Sequence, residues 1–292
     1  MKNITYVKES NRKTLKEYGR GIIGGLLFSL PLVYTSEVWW TGFITAPKYL
    51  LCCVFVTYLL LMGYNRYAGM KEGSSFAEIC WDSVEEIGLA FVVSFLFLLL
   101  ISRIEFGMSL EEIAGKVIVE SMIVAIGISV GTAQLGGNGD DGDKNEQNLP
   151  ANRQDGDDVG KKDNPFIKRI ILAICGSVLV ASAVAPTEEI LIIAVSCSAL
   201  HLLLMLVISL LITGITLYYS DFKKSSGSRP EIMVMLLELM VDYIIALVVG
   251  YALLRFFGRV QDYGFTIVVA QMVVLGIAGT IGASAGRLLI GR

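Results

Sequence analysis

Residues 170–218 read IILAICGSVLVASAVAPTEEILIIAVSCSALHLLLMLVISLLITGITLY, 49 residues whose only charged side chains are Glu188 and Glu189. As one helix the run would be roughly 73 Å long at ~1.5 Å per residue. That is more than twice the ~30 Å hydrocarbon core of a bilayer, so the run must turn back. Pro186-Thr187-Glu188-Glu189 is its polar break, and proline closes helices because it has no amide hydrogen to donate. The turn is placed there, which gives spans over 170–188 and 190–218.

The same reading extends outward from this pair. A span needs roughly 20 apolar residues, and six further runs qualify: 21–40, 47–64, 77–101, 113–134, 232–257 and 264–286. The expected fold is therefore all-α, a polytopic membrane protein with eight transmembrane helices. Composition agrees: 54% of the 292 residues are hydrophobic and 17% charged, with a mean hydropathy of +0.64. Soluble domains carry about a quarter charged residues. This excludes a soluble enzyme, a nucleic-acid binder and a secreted disulfide scaffold. The five Cys (Cys52, Cys53, Cys80, Cys175, Cys197) all lie in apolar runs without C-x-x-C spacing, and read as small buried residues. No metal site and no cofactor is expected.

Lys and Arg set the orientation. With the N-terminus inside, cytoplasmic segments hold 19 of the 24 basic residues and outer segments four: Lys48, Arg103, Arg255 and Arg259; Lys116 falls within the fourth span. Both termini are expected in the cytoplasm, in the inner (cell) membrane. The first apolar run is long and lacks a cleavage site, so no cleavable signal peptide is expected. The chain divides into a cytoplasmic segment (1–20), a first four-helix half (21–134), an acidic linker (135–169) and a second four-helix half (170–292). The linker is too polar to bury a core and reads as disordered. Its Asp141-x-Asp143-x-Asn145 lacks the Gly and Glu of a calcium loop.

The halves are related as a tandem repeat. Gly24, Leu27, Thr35 and Glu37 match Gly176, Leu179, Thr187 and Glu189 at a shift of 152. Asp82, Glu86, Ala90, Val92 and Val93 fall on Glu238, Asp242, Ala246, Val248 and Val249 at 156. Ile126, Gly127, Ser129 and Gly131 fall on Ile281, Gly282, Ser284 and Gly286 at 155. Four spans per half is an even number, so the repeat is parallel, with its pseudo-two-fold axis along the membrane normal.

Three stretches, LFSLPLVYTSEVWW (27–40), APTEEI (185–190) and GASAGRLLI (282–290), resemble an uncharacterised family of bacterial integral membrane proteins. The resemblance covers most of the chain outside the linker and implies no activity.

Ionisable groups inside spans are costly and mark function by default. Asp82 and Glu86, and Glu238 and Asp242, are four residues apart, so each pair shares a helix face. Glu86 and Asp242 lie about ten residues from their cytoplasmic helix ends, roughly 15 Å in and near the midplane. With few bases nearby, such carboxylates hold protons or share a cation. They form the expected inner site of an ion pathway; the competing reading is dipole-stabilised or hydrogen-bonded packing. An outer site is expected at Thr35, Glu37, Thr187, Glu188 and Glu189, since acidic rings select cations; the competing reading is interfacial loop charge beside Trp39 and Trp40. A homodimer around one pore would double that ring. Glu120 stands four residues after Lys116, where the two would pair, and His201 reads as hydrogen-bonded packing. Gly127-x-Ser129-x-Gly131 and Gly282-x-Ser284-x-Gly286 mimic a hydrolase elbow, but within helical spans they read as close helix packing, as does Gly21-x-x-x-Gly25. No constellation supports an enzyme.

The expected function is a transmembrane cation channel or transporter using carboxylates of both repeats, with the lipid bilayer and an inorganic cation (H⁺, Na⁺, K⁺ or Ca²⁺) as partners. The alternative is a membrane scaffold or sensor without transport.

Overall fold

The computed structural model describes residues 2–68, 75–105, 107–136, 165–224 and 232–290. Most of the linker, with its Asp141-x-Asp143-x-Asn145, lies outside them. The described residues form ten helices: α1 (Lys2–Val33), α2 (Ser36–Ile44), α3 (Pro47–Ala68), α4 (Phe76–Leu100), α5 (Leu110–Gly136), α6 (Pro165–Ser182), α7 (Glu189–Ser196), α8 (Ala199–Lys224), α9 (Ile232–Phe256) and α10 (Phe265–Ile290).

The chain is an all-α, multi-pass membrane protein. Six helices are long and apolar enough to cross a bilayer (α3, α4, α5, α8, α9 and α10), and a seventh span results if the bent pair α1–α2 counts as one. The sequence led us to expect eight straight spans, and two of those are broken. The run 21–40 bends by 88° between α1 and α2. Side chains satisfy the carbonyls freed there: Thr35 Oγ1 donates to Pro31 O (2.6 Å) and Trp39 Nε1 to Val33 O (2.9 Å). The run 190–218 breaks at Cys197, whose backbone is extended, and Ser198 Oγ lies 2.8 Å from His201 Nδ1. The break at Cys197 lies in apolar sequence, where hydropathy does not register it, whereas the α1–α2 bend falls on the polar Thr35-Ser36-Glu37, which lies inside the expected span 21–40.

The helix order long, short, long, long, long occurs twice, in α1–α5 and in α6–α10. In the first unit α5 is the hub, packed by α1, α2, α3 and α4; in the second α10 is packed by α6, α7, α8 and α9. The hub helix α5 is 78% buried over its apolar window, against 22% for α3. The outer faces stay apolar because they meet lipid. That also corrects the expectation for the cysteines, of which only Cys175 is buried. α6 joins the units, packing on α3 and α5 as well as on α9 and α10.

Glycines set the closest crossings in both units. A Cβ on Gly131 would stand 2.5 Å from the Gly24 Cα, and one on Gly127 3.0 Å from the Gly25 Cα. A Cβ on Gly286 would stand 3.1 Å from the Gly176 Cα, and Gly282 abuts the Gly176 carbonyl. Without side chains the backbones approach closely, and van der Waals packing replaces the hydrophobic drive that lipid removes.

A second repeated device ends α4 and α9. Arg103 N donates to Leu98 O (2.8 Å) and Ser102 N to Leu99 O (3.1 Å); Arg259 N donates to Leu254 O (2.8 Å) and Gly258 N to Arg255 O (3.3 Å). These are paired Schellman caps, which need a left-handed residue at the turn. Ser102 (φ 56°) and Gly258 (φ 71°) supply it, and each cap delivers an arginine to the same helix end.

Candidate functional site

α4 begins at a capping box. Ser75 Oγ accepts from Glu78 N (3.3 Å), and Glu78 Oε2 accepts from Ser75 N (3.0 Å). Two turns further on, Ser83 and Glu86 face α3 and α5. Asn65 of α3 binds all three elements together. Its Nδ2 donates to Glu86 Oε2 (2.8 Å) and Ser83 Oγ (3.2 Å), and its Oδ1 accepts from Ser129 Oγ of α5 (2.7 Å). Ser83 Oγ also donates to Ile79 O at 2.8 Å. Glu86 is half-buried, while Ser83 and Ser129 are buried. About one turn along α4 and α5 the same three helices leave a small gap of about 10 Å³, lined mostly by apolar side chains (Val54, Ile87, Phe91, Met122 and Ala125) with the Thr57 and Ser121 residues among them.

The second unit is built differently. Asp242, the counterpart of Glu86, is buried at 1% exposure. Ser284, the counterpart of Ser129, donates back to Thr280 O of its own helix (2.7 Å), and Leu239 stands where the shift of 156 places Ser83. Glu238 forms an ion pair with Arg169 of α6. Asp82 is half-buried on α4. The acids of α4 and α9 thus sit in separate units: α4 packs on α5, α3 and α1, and α9 on α10, α6 and α8.

The outer acids are drawn together by a residue that the sequence reading passed over. Arg259 reaches Glu37 (3.8 Å) of the first unit and Glu188 (3.7 Å) of the second. Its Nε and one terminal nitrogen donate to Pro186 O, Nε at 2.7 Å. Glu189 is held below the usual carboxylate range by its own backbone amide, then by the Thr187 hydroxyl and by Arg259. Thr35 and Thr187 donate to the Pro31 and Val184 carbonyls, closing the chain breaks. In the first unit Arg103 lies 4.0 Å over the Trp39 ring. The signal was present as Leu98-x₄-Arg103 and Leu254-x₄-Arg259, again 156 apart.

Arg259→Gln is expected to destabilise the folded protein by about 1–3 kcal/mol, chiefly through the charged hydrogen bonds to Pro186 O. The two longer ion pairs contribute about 1 kcal/mol or less each. Thermal unfolding in detergent at low and high salt checks this. The Pro186 share persists in salt and the ion-pair share shrinks.

Glu120 was expected to pair with Lys116. Instead Lys116 Nζ turns to Glu112 (2.7 Å) and the Arg103 carbonyl (3.2 Å). Glu120 is left at 1% exposure, and among the described residues neither carboxylate oxygen has a hydrogen-bond partner. His201 is exposed, held by Ser198. Among the described residues, no group of three or more His, Cys, Asp and Glu is placed to hold a metal ion.

No curated protein and no solved structure matches the chain. One family does, described as "Putative integral membrane protein (DUF2391)", over residues 17–290. A match of that extent, on a fold built of apolar spanning helices, means that the chain belongs to this family of integral membrane proteins.

Proposed function

We propose that this protein passes a cation across the membrane, using carboxylates that lie within its spans. The observation that carries the reading is Glu86. An ionisable group in a spanning helix is costly, about 2.5–3.5 kcal/mol for an acid at the centre on insertion scales. Here it accepts from Asn65 of α3, which is in turn fixed by Ser129 of α5. A packing residue has no use for that expense. Asp242 is the second acid of the pathway, with Asp82 and Glu238 toward the cytoplasmic ends.

In this reading eight segments cross: α1, α3, α4, α5, α6, α8, α9 and α10. α6 has 18 residues, roughly 27 Å of helix, close to the ~30 Å core. Its match to α1 across the repeat supports a crossing. The short helices α2 and α7 then lie at the outer border with Glu37, Glu188 and Glu189. Both termini and the acidic linker face the cytoplasm of a cell whose inner membrane holds the protein, as the basic residues require. Arg259 neutralises part of the outer acidic group, so that group acts as a rim that meets cations, and the selective step belongs to the acids within the spans.

Purified protein in liposomes, assayed for H⁺, Na⁺, K⁺ and Ca²⁺ flux, is expected to conduct one of them. Glu86→Gln and the pair Glu86→Gln/Asp242→Asn are expected to bring that flux to the level of empty liposomes. Absence of flux from folded protein under voltage and pH gradients overturns the reading in favour of a scaffold or sensor.

A further inference from the structure

We propose that Glu120 is a proton-binding site of the first unit: it carries its proton while α1, α2 and α5 pack as described, and releases it to water when the α1–α2 bend moves off α5.

Three observations carry this. Glu120 is almost completely buried, and neither oxygen has a hydrogen-bond partner. The neighbouring base is committed elsewhere, since Lys116 is engaged by Glu112, the Arg103 carbonyl and the Met108 sulfur. Its position is also defined by contacts one turn to either side. Gly115 and Lys116 touch Gly42 of α2, and Val124 touches Gly25 of α1. Glu120 therefore stands at the level of the 88° bend between those helices.

The charged groups whose side chains are described on the elements packed against α5 are Arg20 on α1, Glu37 on α2, Lys48 and Arg66 on α3, Glu78, Asp82, Glu85 and Glu86 on α4, and Lys168 and Arg169 on α6. On α10 no charged side chain is described. Among the described residues none of these is a partner of Glu120. An ionised carboxylate there would be shut off from solvent, with no donor and no counter-ion among the described residues, which is the situation in which a buried acid stays neutral. Releasing the proton leaves a carboxylate that must reach water. The joint that would admit water is the α1–α2 bend, closed by the Thr35 and Trp39 hydrogen bonds and by Arg103 on the Trp39 ring. The counterpart at a shift of 155 is Leu275, a buried apolar residue, so the site belongs to one repeat only.

This site makes the proton a coupled ion, a role that rests on the cation-passage reading, whereas its existence is tested apart from flux. Infrared difference spectra of the full chain in lipid, taken across a pH titration, are expected to show the C=O band of a protonated carboxyl free of hydrogen bonds. The band should vanish in Glu120→Gln and persist in Glu86→Gln. In the unaltered chain, glutamate carrying ¹³C at its side-chain carboxyl should shift it, a readout independent of whether the variant folds. A spectrum without the band, a band unmoved by the isotope, or one that survives in folded Glu120→Gln overturns the proposal. A band without cation flux leaves the proton site standing and removes the transport role.

Discussion

Gly131→Leu is expected to prevent the first unit from assembling, because the space its side chain needs is occupied by backbone. The Cβ alone would lie 2.5 Å from the Gly24 Cα and 3.1 Å from Arg20 O. Backbone atoms cannot rotate aside as a side-chain tip can, so α1 must move away from α5 along the whole crossing. Overpacking where neighbours can adjust costs about 1–3 kcal/mol. Gly131→Ala should fall at the upper end of that range and Gly131→Leu beyond it. Gly176→Leu should do the same in the second unit, where Gly282 and Gly286 leave no more room. Gly88→Ala is the control of opposite sign. Gly88 is exposed on α4 with nothing within 4 Å of an added Cβ, and alanine is favoured over glycine in a helix by up to about 1 kcal/mol. Size-exclusion profiles of heated detergent samples read all four. A Gly131→Leu protein as heat-stable as its parent would show that the α1–α5 crossing is not as close as described.

The second large effect is expected at Asn65. Its amide serves three hydrogen bonds on two other helices, and Leu is close to it in size. Asn65→Leu removes the donor from Glu86 and Ser83 and the acceptor from Ser129. Interhelical hydrogen bonds in membranes contribute about 0.6–2 kcal/mol each, and stranding a buried polar group adds about 1–3 kcal/mol. A loss of about 3 kcal/mol is expected for Asn65→Leu. Leu61→Met, one turn away on the same buried face of α3, should cost less than about 1.5 kcal/mol as a volume-conserving change. Unfolding by denaturant in mixed micelles compares the two. If Asn65→Leu is as stable as Leu61→Met, the cluster is not a packed network, and the support it gives Glu86 as a pathway residue is lost.

These two sites differ in how far they could be read without a structure. The glycines lay in repeated, evenly spaced pairs, and small residues at a spacing of four have one common use between membrane helices. Asn65 lay just past the end of the run read as 47–64, where a polar residue signals only the end of a span. The helix continues to Ala68, and that extra turn places Asn65 opposite Glu86. Glu120 and Lys116 were read as a pair because (i, i+4) spacing permits one, yet Lys116 is also four residues from Glu112 and takes that partner instead. Spacing on a helix identifies which pairs are feasible; the packing of other helices chooses between them.

By itself the sequence determined the membrane class, most helix bounds, the duplication and the ionisable residues that enter the apolar spans. Those follow from local quantities: the bilayer fixes the length of an apolar run, and each half of a duplication carries its own copy of the pattern. The tertiary structure alone decided where two expected spans break, that Arg259 gathers the outer acids, that Asn65 links Glu86 to Ser129, and that Glu120 has no hydrogen-bond partner among the described residues. Each of these depends on which faces of distant helices meet. In a lipid-exposed bundle that is settled by close packing and hydrogen bonding between helices, because hydrophobicity is the same on the buried and exposed faces and cannot mark which is which.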